Sequence, residues 1–544
     1  MKKYIDERVR EYIFAKTVID YQNVERVEGL LLEKSLQIDL LDVNNVIIKP
    51  NGYVILDYGK EMQGSIRILT HHLDEGSSCP IRIRLGESVA ETCAELGGEK
   101  NATNDHSLRD ITTQLVNYSD MEFCQSGFRF VRIDNVGKTN LNIKTIVAVS
   151  CMRNLKPTGT FTCDDELVND IFNTSAYTLM LNMQDYIWDG VKRDRLVWVG
   201  DLHPETKGIA CLFGKAPVVN KSLDFAKQQY PLPNYMNTMP GYSLWYITIL
   251  CDYCFETDDN QLLESNLDYI FGLTQLFDGL IEENGKLNFN LFCDWPTYET
   301  EEAEGGVDSI CYLAMKNAKK ALEKYNYSTV HCDNIIAKIE KKPHNVKWAK
   351  QVAALYVYSG LVKAEKMHDF LVDGGAKGLS TFMSYYIFSA IAESGDYLSA
   401  LNIMKEYYGG MLSMGATTFW EDFDMEWMKN ATPINMPVPE GKSDIHGENG
   451  RYCYVGFRHS LCHGWACGPI QYLMHYVAGF NALQAGGKQL LINPHLDGLN
   501  YVDATFPTCN GVVKMHAEKR GEKVYVNVDA PDGVEVILNN CEKM

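Results

Sequence analysis

The densest cluster of side chains able to do chemistry lies between Trp188 and Glu205, in the segment WDGVKRDRLVWVGDLHPE. Carboxylates, basic side chains and tryptophans are mixed there, and such a mixture is costly to bury unless the groups pair with one another or with a ligand. The segment therefore predicts a functional site, and the alternative is a solvated loop held by Asp/Arg pairs. Its charged members are Asp189, Lys192, Arg193, Asp194, Arg195, Asp201 and Glu205.

A second cluster is the segment GATTFWEDFD, residues 415–424, in which Glu421 directly follows Trp420. Alone it is equally typical of an acidic surface loop. Together with the first cluster it supplies two carboxylates in separate loops, accompanied by Trp and Arg. These are the groups that glycosidic-bond hydrolysis requires, because one acid must protonate the leaving oxygen while one base activates water.

Three further segments have the same composition. FCDWPTY contains Asp294 and Trp295, YSLWY contains Trp245, and SLCHGW contains His463. Tryptophan faces cover the apolar side of a sugar ring, while carboxylates and Arg hold its hydroxyls. Each segment alone also fits a packed interior, with a core Trp or a hydrogen-bonded core His, but their joint occurrence favours a carbohydrate site.

Composition excludes several other classes of function. The chain has 544 residues and a formal net charge of -20, without clustered Lys and Arg, so we expect no nucleic-acid partner. No phosphate-binding glycine loop and no Gly-x-Ser-x-Gly elbow is present, and we expect no cofactor and no metal. The sequence does not specify an oligomeric state.

Hydropathy and cysteine usage indicate the compartment. No apolar run approaches the roughly 20 residues of a membrane span, and the first segment, MKKYIDERVREYIF, is interrupted by charge. We therefore expect no membrane partner and a cytoplasmic location. The 16 cysteines are scattered through a large chain, so we expect reduced thiols without disulfides or zinc.

The period of the hydrophobic pattern changes twice along the chain. Alternation of period two, as in Ile81, Ile83 and Leu85, predicts a β-sandwich over residues 1–158. Helical spacing over residues 159–484, with polar loops between the helices, predicts an α-barrel whose loops cover one mouth. Alternation returns over residues 485–544 and predicts a small β domain.

The ordered motifs DGVKRDRLVWVGD, DWPT, GATTFWE and SLCHGW resemble the catalytic domain of bacterial α-L-rhamnosidases, glycoside hydrolase family 78. The flanking segments DYGKEMQGSIRI and SGFRFVRI resemble the β-sandwich that precedes this domain in the family. The resemblance implies a multidomain protein of α and β structure, an (α/α)6 barrel between an N-terminal β-sandwich and a small C-terminal β domain. It also implies a carbohydrate partner and the inverting, exo-acting release of terminal α-L-rhamnose.

The resemblance assigns roles residue by residue. Glu421 falls on the general base, and Asp189, Arg193 and Asp201 fall on positions that bind the sugar. The pocket positions are matched by Trp198, Trp245, Asp294, Trp295, Trp420 and His463.

One position departs from the family. Its general acid is a Glu directly after the Arg of the first motif, and this chain has Asp194 there. Aspartate is shorter by one methylene, a reach of roughly 1.5 Å. We assign the acid to Asp194, with Asp189 or Glu205 as alternatives. The departure also leaves open a changed sugar specificity or a non-catalytic sugar-binding protein, and the basic residues near Arg193 leave open a phosphorylase or lyase.

Overall fold

The computed structural model describes residues 5–40, 45–74 and 76–544, so residues 1–4 of the charged first segment lie outside it. The chain divides into two compact units. The first unit comprises Met1–Asn154, Met180–Leu196 and Met411–His463, and the second comprises Leu155–Leu179, Val197–Gly410 and Gly464–Met544. Because each unit takes up separate stretches of chain, the three-domain division given above stays a prediction.

The first unit is built on one sheet of seven described strands. They are β1 (Arg8–Phe14), β2 (Thr17–Glu25), β3 (Val46–Thr70), β4 (Ser78–Gly86), β5 (Asp110–Val116), β6 (Asp120–Asn135) and β7 (Leu141–Arg153). The strand order is β1-β7-β3-β6-β4-β5, and β2 pairs with β3. A short helix, α1 (Val89–Cys93), follows β4, and Ala431–Thr432 pairs in parallel with Ser443–Asp444.

The long strand β3 makes the sheet curl. Its first residues pair with β7 at Val46↔Ile143, and its last residues pair with the same strand at Thr70↔Ile143. A register shift in the β3–β6 ladder between Asp57 and Met62 accompanies this bend. The alternating apolar residues face inward and bury a common core that includes Ile48, Leu56, Ile68, Ile81, Ile83, Leu85, Phe128, Val131, Leu141 and Ile143.

The second unit is mainly helical. Its helices are α2 (Glu166–Asn182, whose last turn enters the first unit), α3 (Leu202–Phe213), α4 (Pro217–Gln229), α5 (Pro240–Thr257), α6 (Asn260–Glu264), α7 (Leu267–Asp278), α8 (Ala303–Lys324), α9 (Val330–Glu340), α10 (Lys350–Ser359), α11 (His368–Val372), α12 (Ser384–Glu393), α13 (Tyr397–Ser413, which also crosses the boundary) and α14 (Gly468–Tyr472). A π-helical turn, Leu473–Val477, continues α14.

Alternate helices of this unit close a ring. Helix α3 packs on α5, α5 on α8, α8 on α10, α10 on α12, α12 on α14, and α14 returns to α3. Six inner helices in a closed ring, with α4, α7, α9, α11 and α13 among the helices between them in the chain, are the arrangement that an (α/α)6 barrel requires. The mixed hydrophobic and polar composition of α5, buried almost throughout, follows from this inner position.

Short strands complete the second unit. They are β8 (Thr160–Cys163), β9 (Phe480–Ala482), β10 (Gln489–Ile492), β11 (Tyr501–Thr508), β12 (Gly511–Arg520), β13 (Lys523–Asp529), β14 (Glu535–Leu538) and β15 (Glu542–Lys543). The larger sheet has the order β15-β13-β12-β11-β8, so the strand before the helices pairs with one after them. The smaller sheet has the order β9-β10-β14.

Single 3₁₀ turns connect these elements, at Val27–Leu30, Met236–Thr238, Trp295–Thr297, Ala364–Lys366, Met425–Met428, Gly456–Arg458, Gly464–Cys467 and Ala485–Gly487. Within the described ranges, no helix combines the length and the hydropathy needed to cross a bilayer.

All 16 cysteines are free thiols in the structure. Cys251 and Cys254 have a Cys-x-x-Cys spacing, which places them about one turn apart on helix α5. Burial raises the pKa of both thiols. A raised thiol pKa disfavours the reactive thiolate, so this pair has the character of core cysteines.

Candidate active site

The loop from Asp189 to Leu196 is closed by its first side chain. Asp189 Oδ1 accepts a hydrogen bond from the backbone N–H of Leu196 at 2.9 Å, and Oδ2 accepts one from the N–H of Asp194 at 3.0 Å. Gly190 is needed within the loop, because a Cβ there would lie 2.2 Å from the carbonyl oxygen of Arg193. Burial, reinforced by the charge of Asp194, raises the pKa of Asp189 to about 7.

The guanidinium of Arg193 holds both predicted catalytic carboxylates. Nη1 lies 3.0 Å from Asp194 Oδ1, and Nη2 lies 3.0 Å from Glu421 Oε1. The third nitrogen, Nε, donates to the carbonyl of Arg458 at 2.9 Å, which fixes the plane of the group. Because two Nη atoms are about 2.3 Å apart, the two bonded oxygens are separated by at most about 8 Å. The structure thus brings Asp194 and Glu421 together from positions 227 residues apart.

The loop that carries Glu421 lies beside the segment from Ser460 to His463. The backbone of Glu421 donates to the Ser460 carbonyl at 3.0 Å, and the Ser460 N–H donates to Glu421 Oε2 at 3.0 Å. The N–H of His463 donates to the Phe419 carbonyl at 3.1 Å. Burial raises the pKa of Glu421, with the charge of Arg193 acting in the opposite direction.

His463 lies between two of these carboxylates. Its Nε2 is 3.7 Å from Glu421 Oε1 and 3.9 Å from Asp189 Oδ2, and the side chain is 2% exposed. Burial, reinforced by the charges of Arg193 and His459, holds the pKa of His463 well below its usual value. The imidazole is therefore neutral at pH 7, so it can act as a hydrogen-bonding group rather than as a charge.

His459 and His463 have the His-x-x-x-His spacing of a zinc helix, although we expected no metal. Residues 459–463 are not helical in the structure, so the spacing does not place the two rings on one helix face. His459 Nε2 instead accepts a hydrogen bond from the N–H of Asp422 at 2.9 Å. This contact helps to shape the turn after Glu421.

The buried ammonium of Lys192 fixes the position of the loop from Asp189 to Leu196. Lys192 Nζ lies 2.9 Å from Glu87 Oε2 and 3.3 Å from Glu91 Oε1, and it donates to the carbonyls of Phe457 and His459 at 2.9 and 2.7 Å. Glu87 Oε2 also accepts from the N–H of Leu461 at 2.7 Å. The ion pair therefore connects the loop of Arg193 to the segment that holds Glu421.

The same two carboxylates belong to a group that could be considered for a metal. Glu87, Glu91 and His446 offer ligand atoms within 4.8 Å of one another. The ammonium of Lys192 already balances both carboxylates, and His446 Nδ1 shares a hydrogen bond of 2.9 Å with the Ser88 hydroxyl. Burial raises the pKa of Glu87 to about 7, with Lys192 acting in the opposite direction.

Trp420 lies in the interior next to Glu421. It is 1% exposed and packs edge-on against Phe423, with ring centroids 5.6 Å apart. At this position it supports the loop of Glu421, and its ring is covered by protein. The residue after Glu421, Asp422, is partly buried, and this loss of hydration raises its pKa to about 7.

The second unit holds the other predicted pocket residues, and three aromatic pairs connect two of them. Trp198 packs edge-on against Tyr242 at 6.1 Å, Tyr242 against Phe292 at 6.0 Å, and Phe292 against Trp295 at 5.2 Å. Gly200 lies against this chain, since a Cβ there would be 2.3 Å from the Tyr242 ring. The structure therefore brings Trp198 and Trp295 into one aromatic row.

Asp201 and Trp245 are both buried in the second unit. Asp201 immediately precedes α3 and is 3% exposed, and its N–H donates to the Trp198 carbonyl at 3.1 Å. Trp245 stacks on His203 at 4.8 Å, and His203 also stacks on Tyr386 at 5.8 Å. These three rings come from α5, α3 and α12 and fill the interior of the ring, so Trp245 is part of the barrel core.

Glu205, the second alternative acid, is fully buried in helix α3. A Cβ at Gly464 would lie 1.5 Å from Glu205 Oε1, so glycine is required where the two segments meet. A fully buried carboxylate offers a substrate no direct access, and Glu205 is a structural group in this conformation.

Some residues around the site had no signal in the sequence. Glu87 lies in the β-rich part of the chain, 105 residues before Lys192, and an isolated Glu there has no spacing that predicts a contact. His106 lies in the loop before β5, with Nε2 3.4 Å from Asp194 Oδ1. Only the three-dimensional arrangement identifies these two as neighbours of the catalytic loop.

Comparison with known proteins identifies the helical region. Residues 156–314 match the family model described as the bacterial alpha-L-rhamnosidase 6 hairpin glycosidase domain. This region of the chain is similar to bacterial α-L-rhamnosidase domains. The predicted resemblance is thereby confirmed.

A curated relative agrees with this match. The alpha-L-rhamnosidase of Formosa agariphila is 24% identical over 164 residues, which are 29% of this chain and 17% of the relative. The chain thus spans about a sixth of the curated relative.

Solved structures of α-L-rhamnosidases share the fold. The chain is similar to a GH78 family rhamnosidase of Bacillus sp. GL1, with a TM-score of 0.73, 16% identity, and coverage of 95% of this chain and 56% of that one. A rhamnosidase of Klebsiella oxytoca with rhamnose bound gives a TM-score of 0.66, 15% identity, and coverage of 87% and 96%. The predicted fold class is confirmed.

Asp294 gives the stability of the second unit a testable pH dependence. It is 2% exposed and caps the 3₁₀ turn Trp295–Thr297, where Oδ1 accepts from the Thr297 N–H at 3.2 Å. Burial raises the pKa of Asp294 to about 6. The stabilisation from its protonated form is complete below the unfolded pKa of about 3.9 and is lost as the pH rises through 6.

The variant Asp294→Asn keeps the capping oxygen and removes the ionisation. The free energy of unfolding would be measured by urea denaturation from pH 4 to pH 7. The difference between the variant and wild type should rise in favour of the variant by roughly 1.4 kcal/mol for each pH unit between pH 4 and 6. Asp529→Asn, at a side chain that is 80% exposed, controls for the loss of a surface carboxylate. Parallel pH curves for Asp294→Asn and wild type would contradict the burial argument.

Proposed function

We propose that the protein is an inverting exo-glycoside hydrolase that releases terminal α-L-rhamnose from small glycosides or oligosaccharides. The observation that carries the proposal is the shared guanidinium of Arg193, which holds Asp194 and Glu421 as a pair. A pair of carboxylates on opposite sides of a scissile bond is what glycoside hydrolysis needs. The named relatives support rhamnose as the sugar.

Glu421 is the general base in this proposal. Its carboxylate is 6% exposed, and Arg193 and the Ser460 N–H hold it in one orientation. A raised pKa makes a carboxylate a better proton acceptor, because the proton it takes is held more strongly. As water attacks the anomeric carbon, Glu421 removes the proton from that water.

The proton for the leaving oxygen enters from the side of Asp194. This side chain is 19% exposed, against 6% for Glu421, so the acid side of the pair is the more open one. An exo-acting enzyme binds the terminal sugar in a closed pocket and directs the leaving group outward. The difference in exposure between the two carboxylates supports this orientation.

Charge favours the transition state of this reaction. Asp189, Asp194 and Glu421 lie around a single guanidinium, and the adjacent His463 is neutral. Fixed carboxylates stabilise positive charge that develops on the sugar ring, and their effect is stronger in a site that excludes water. The site therefore suits an oxocarbenium-like transition state.

The first prediction concerns the base. Glu421→Gln removes the proton acceptor with almost no change in volume, so kcat on an aryl α-L-rhamnoside should fall by roughly 10²- to 10⁴-fold. Glu426→Gln is the matched control, since Glu426 lies in the same region and its side chain is 60% exposed. Glu426→Gln should keep the wild-type melting temperature, whereas Glu421→Gln should stay folded with a lower one, because it removes a charge that pairs with the buried Arg193.

A near wild-type rate for Glu421→Gln would remove Glu421 from the mechanism. If wild type binds rhamnose but turns over no member of a panel of aryl glycosides, the protein is a sugar-binding protein on a hydrolase fold. Turnover that is faster with another sugar would assign a changed specificity, and a rate that depends on added phosphate would assign a phosphorylase.

The stereochemistry of the product tests the pairing. Inverting pairs are separated by roughly 6.5–9.5 Å and retaining pairs by about 5–5.5 Å, and the bound of about 8 Å between the bonded oxygens includes both classes. We expect inversion, so the first rhamnose formed should be the β-anomer when followed by proton NMR during the first turnovers. Initial formation of the α-anomer would assign a retaining mechanism and make one carboxylate a nucleophile.

The acid side is tested through the leaving group. Asp194→Asn should lower kcat/KM strongly on an alkyl α-L-rhamnoside, whose leaving oxygen needs a proton, and much less on the 4-nitrophenyl glycoside, which leaves without one. Both rates would be measured on the same preparation. An equal loss on the two substrates would show that Asp194 contributes to binding and not to protonation.

A further inference from the structure

His106 occupies the open side of the acid position. Its Nε2 lies 3.4 Å from Asp194 Oδ1, and its side chain is 35% exposed, against 19% for Asp194. Moving from Glu421 through Asp194 to His106, the side chains become steadily more exposed. His106 therefore lies where the proposed orientation places the leaving group.

The residues on either side of His106 fix its position. Asp105 Oδ2 accepts a hydrogen bond from Arg458 Nη1 at 3.0 Å, and the Ser107 hydroxyl donates to the carbonyl of Lys192 at 3.0 Å. Arg458 is the residue whose carbonyl accepts from Arg193. The loop of His106 is thus attached to both segments that hold the Arg193 guanidinium, and the imidazole is part of the site rather than a group on a free loop.

The ring leaves one nitrogen for a ligand. Within the described part of the chain, Asp194 is the partner that the structure shows for the imidazole, through Nε2. The other nitrogen, Nδ1, lies across the ring from that contact. A protonated imidazole carries a donor on each nitrogen, so it can bind a carboxylate with one and a substrate oxygen with the other.

The position also accounts for the shorter acid. Asp194 is shorter than Glu by one methylene, or roughly 1.5 Å of reach. The imidazole lies beyond the shorter carboxyl, with Nε2 3.4 Å from Asp194 Oδ1, so it extends farther outward than a glutamate at position 194 would. An Asp–His pair, in which the carboxylate orients the ring and balances its positive charge, is a recurrent acid–base unit in enzymes.

We propose that His106 is the proton donor to the leaving glycosidic oxygen and that Asp194 orients it. The inference rests on the proposed hydrolase function and names the donor within it. The imidazolium donates its Nε2 proton in a hydrogen bond to Asp194 and presents its Nδ1 proton to the glycosidic oxygen. As the bond between the anomeric carbon and that oxygen breaks, the oxygen keeps the electron pair and takes the Nδ1 proton.

The remaining transfers balance the reaction. Water forms the new bond to the anomeric carbon, and Glu421 takes its proton. Glu421 then releases that proton to solvent, and the neutral His106 takes one up. The charged groups on the segments packed against His106 are Asp194 with Arg193 behind it, and the flanking Asp105–Arg458 pair.

The first arm of the test is His106→Asn, measured on an alkyl and on a 4-nitrophenyl α-L-rhamnoside. Asparagine is chosen because His106 has φ of 66°, a left-handed conformation that Asn tolerates well. We expect kcat/KM to fall by roughly 10²- to 10⁴-fold on the alkyl glycoside and by less than about tenfold on the aryl glycoside. His106→Gln provides a second variant if the first fails to fold.

The matched control is His516→Gln. His516 also pairs with an aspartate, Asp503, at 2.7 Å, and it is 39% exposed on a surface strand. We expect this variant to have wild-type rates on both substrates. Equal losses on both substrates for the His106 variants, or no loss on either, would overturn the assignment of His106 as the donor.

The second arm of the test lengthens the carboxylic acid side chain at position 194. In the His106→Asn background, Asp194→Glu adds one methylene, so the carboxyl itself can approach the leaving oxygen. We expect kcat/KM on the alkyl glycoside to recover by about tenfold or more, with little change on the aryl glycoside. Absence of recovery would overturn the account in which the ring compensates for the shorter side chain.

Different results would contradict the proposed hydrolase function and the assignment of His106 as the proton donor. If unchanged protein turns over neither glycoside, the proposed function is wrong and the inference falls with it. If unchanged protein is active and Glu421→Gln is inactive, while the His106 variants keep the wild-type dependence on the leaving group, the function stands and the donor is not His106.

Discussion

The site depends on one guanidinium that is almost fully buried. Arg193 is 4% exposed and holds Asp194 and Glu421 through separate nitrogens. Without it, two carboxylates would face each other in a low-dielectric interior, where their repulsion would force one to stay protonated. Because Arg193 keeps both in place, a fixed distance between an acid side and a base side is possible. The loop closed by Asp189 and the carbonyl of Arg458 then determine where that guanidinium lies.

A second buried ion pair, that of Lys192, connects the site to the β-rich part of the first unit. Its ammonium lies on Glu87 and Glu91, and Glu87 also holds the Leu461 N–H next to the segment that orients Glu421. Removing one partner from a buried ion pair leaves an uncompensated charge, which is far more damaging than the pair is stabilising. The segment that follows strand β4, including helix α1, therefore supplies the negative charge that pairs with Lys192 in the loop of Arg193.

Local patterns in the sequence predicted the presence of helices and strands better than the residues at which they begin and end. The alternation at Ile81, Ile83 and Leu85 lies in strand β4. Within the range of predicted helical spacing, however, the apolar Val346 lies before helix α10, which begins at Lys350. Val346 still packs against the core of Ala349, Val352 and Tyr356, so the hydrophobic period reports burial and not backbone conformation. The motifs likewise predicted Asp194 and Glu421, which the structure brings together, whereas His106 and Glu87 depend on contacts distant in sequence that no local pattern encodes.

The shorter acid and the neighbouring histidine explain each other physically. An aspartate at position 194 is more rigid than a glutamate and stays within 3.0 Å of Arg193, so it cannot both keep that contact and follow a leaving oxygen. A histidine on an anchored loop is free of that constraint, and an imidazole can act as a general acid. Separating the two tasks lets Asp194 remain an element of charge balance while the proton is delivered from the exposed side. The departure from the expected glutamate is then a redistribution of one function over two side chains, and the activity does not have to be lost with the methylene.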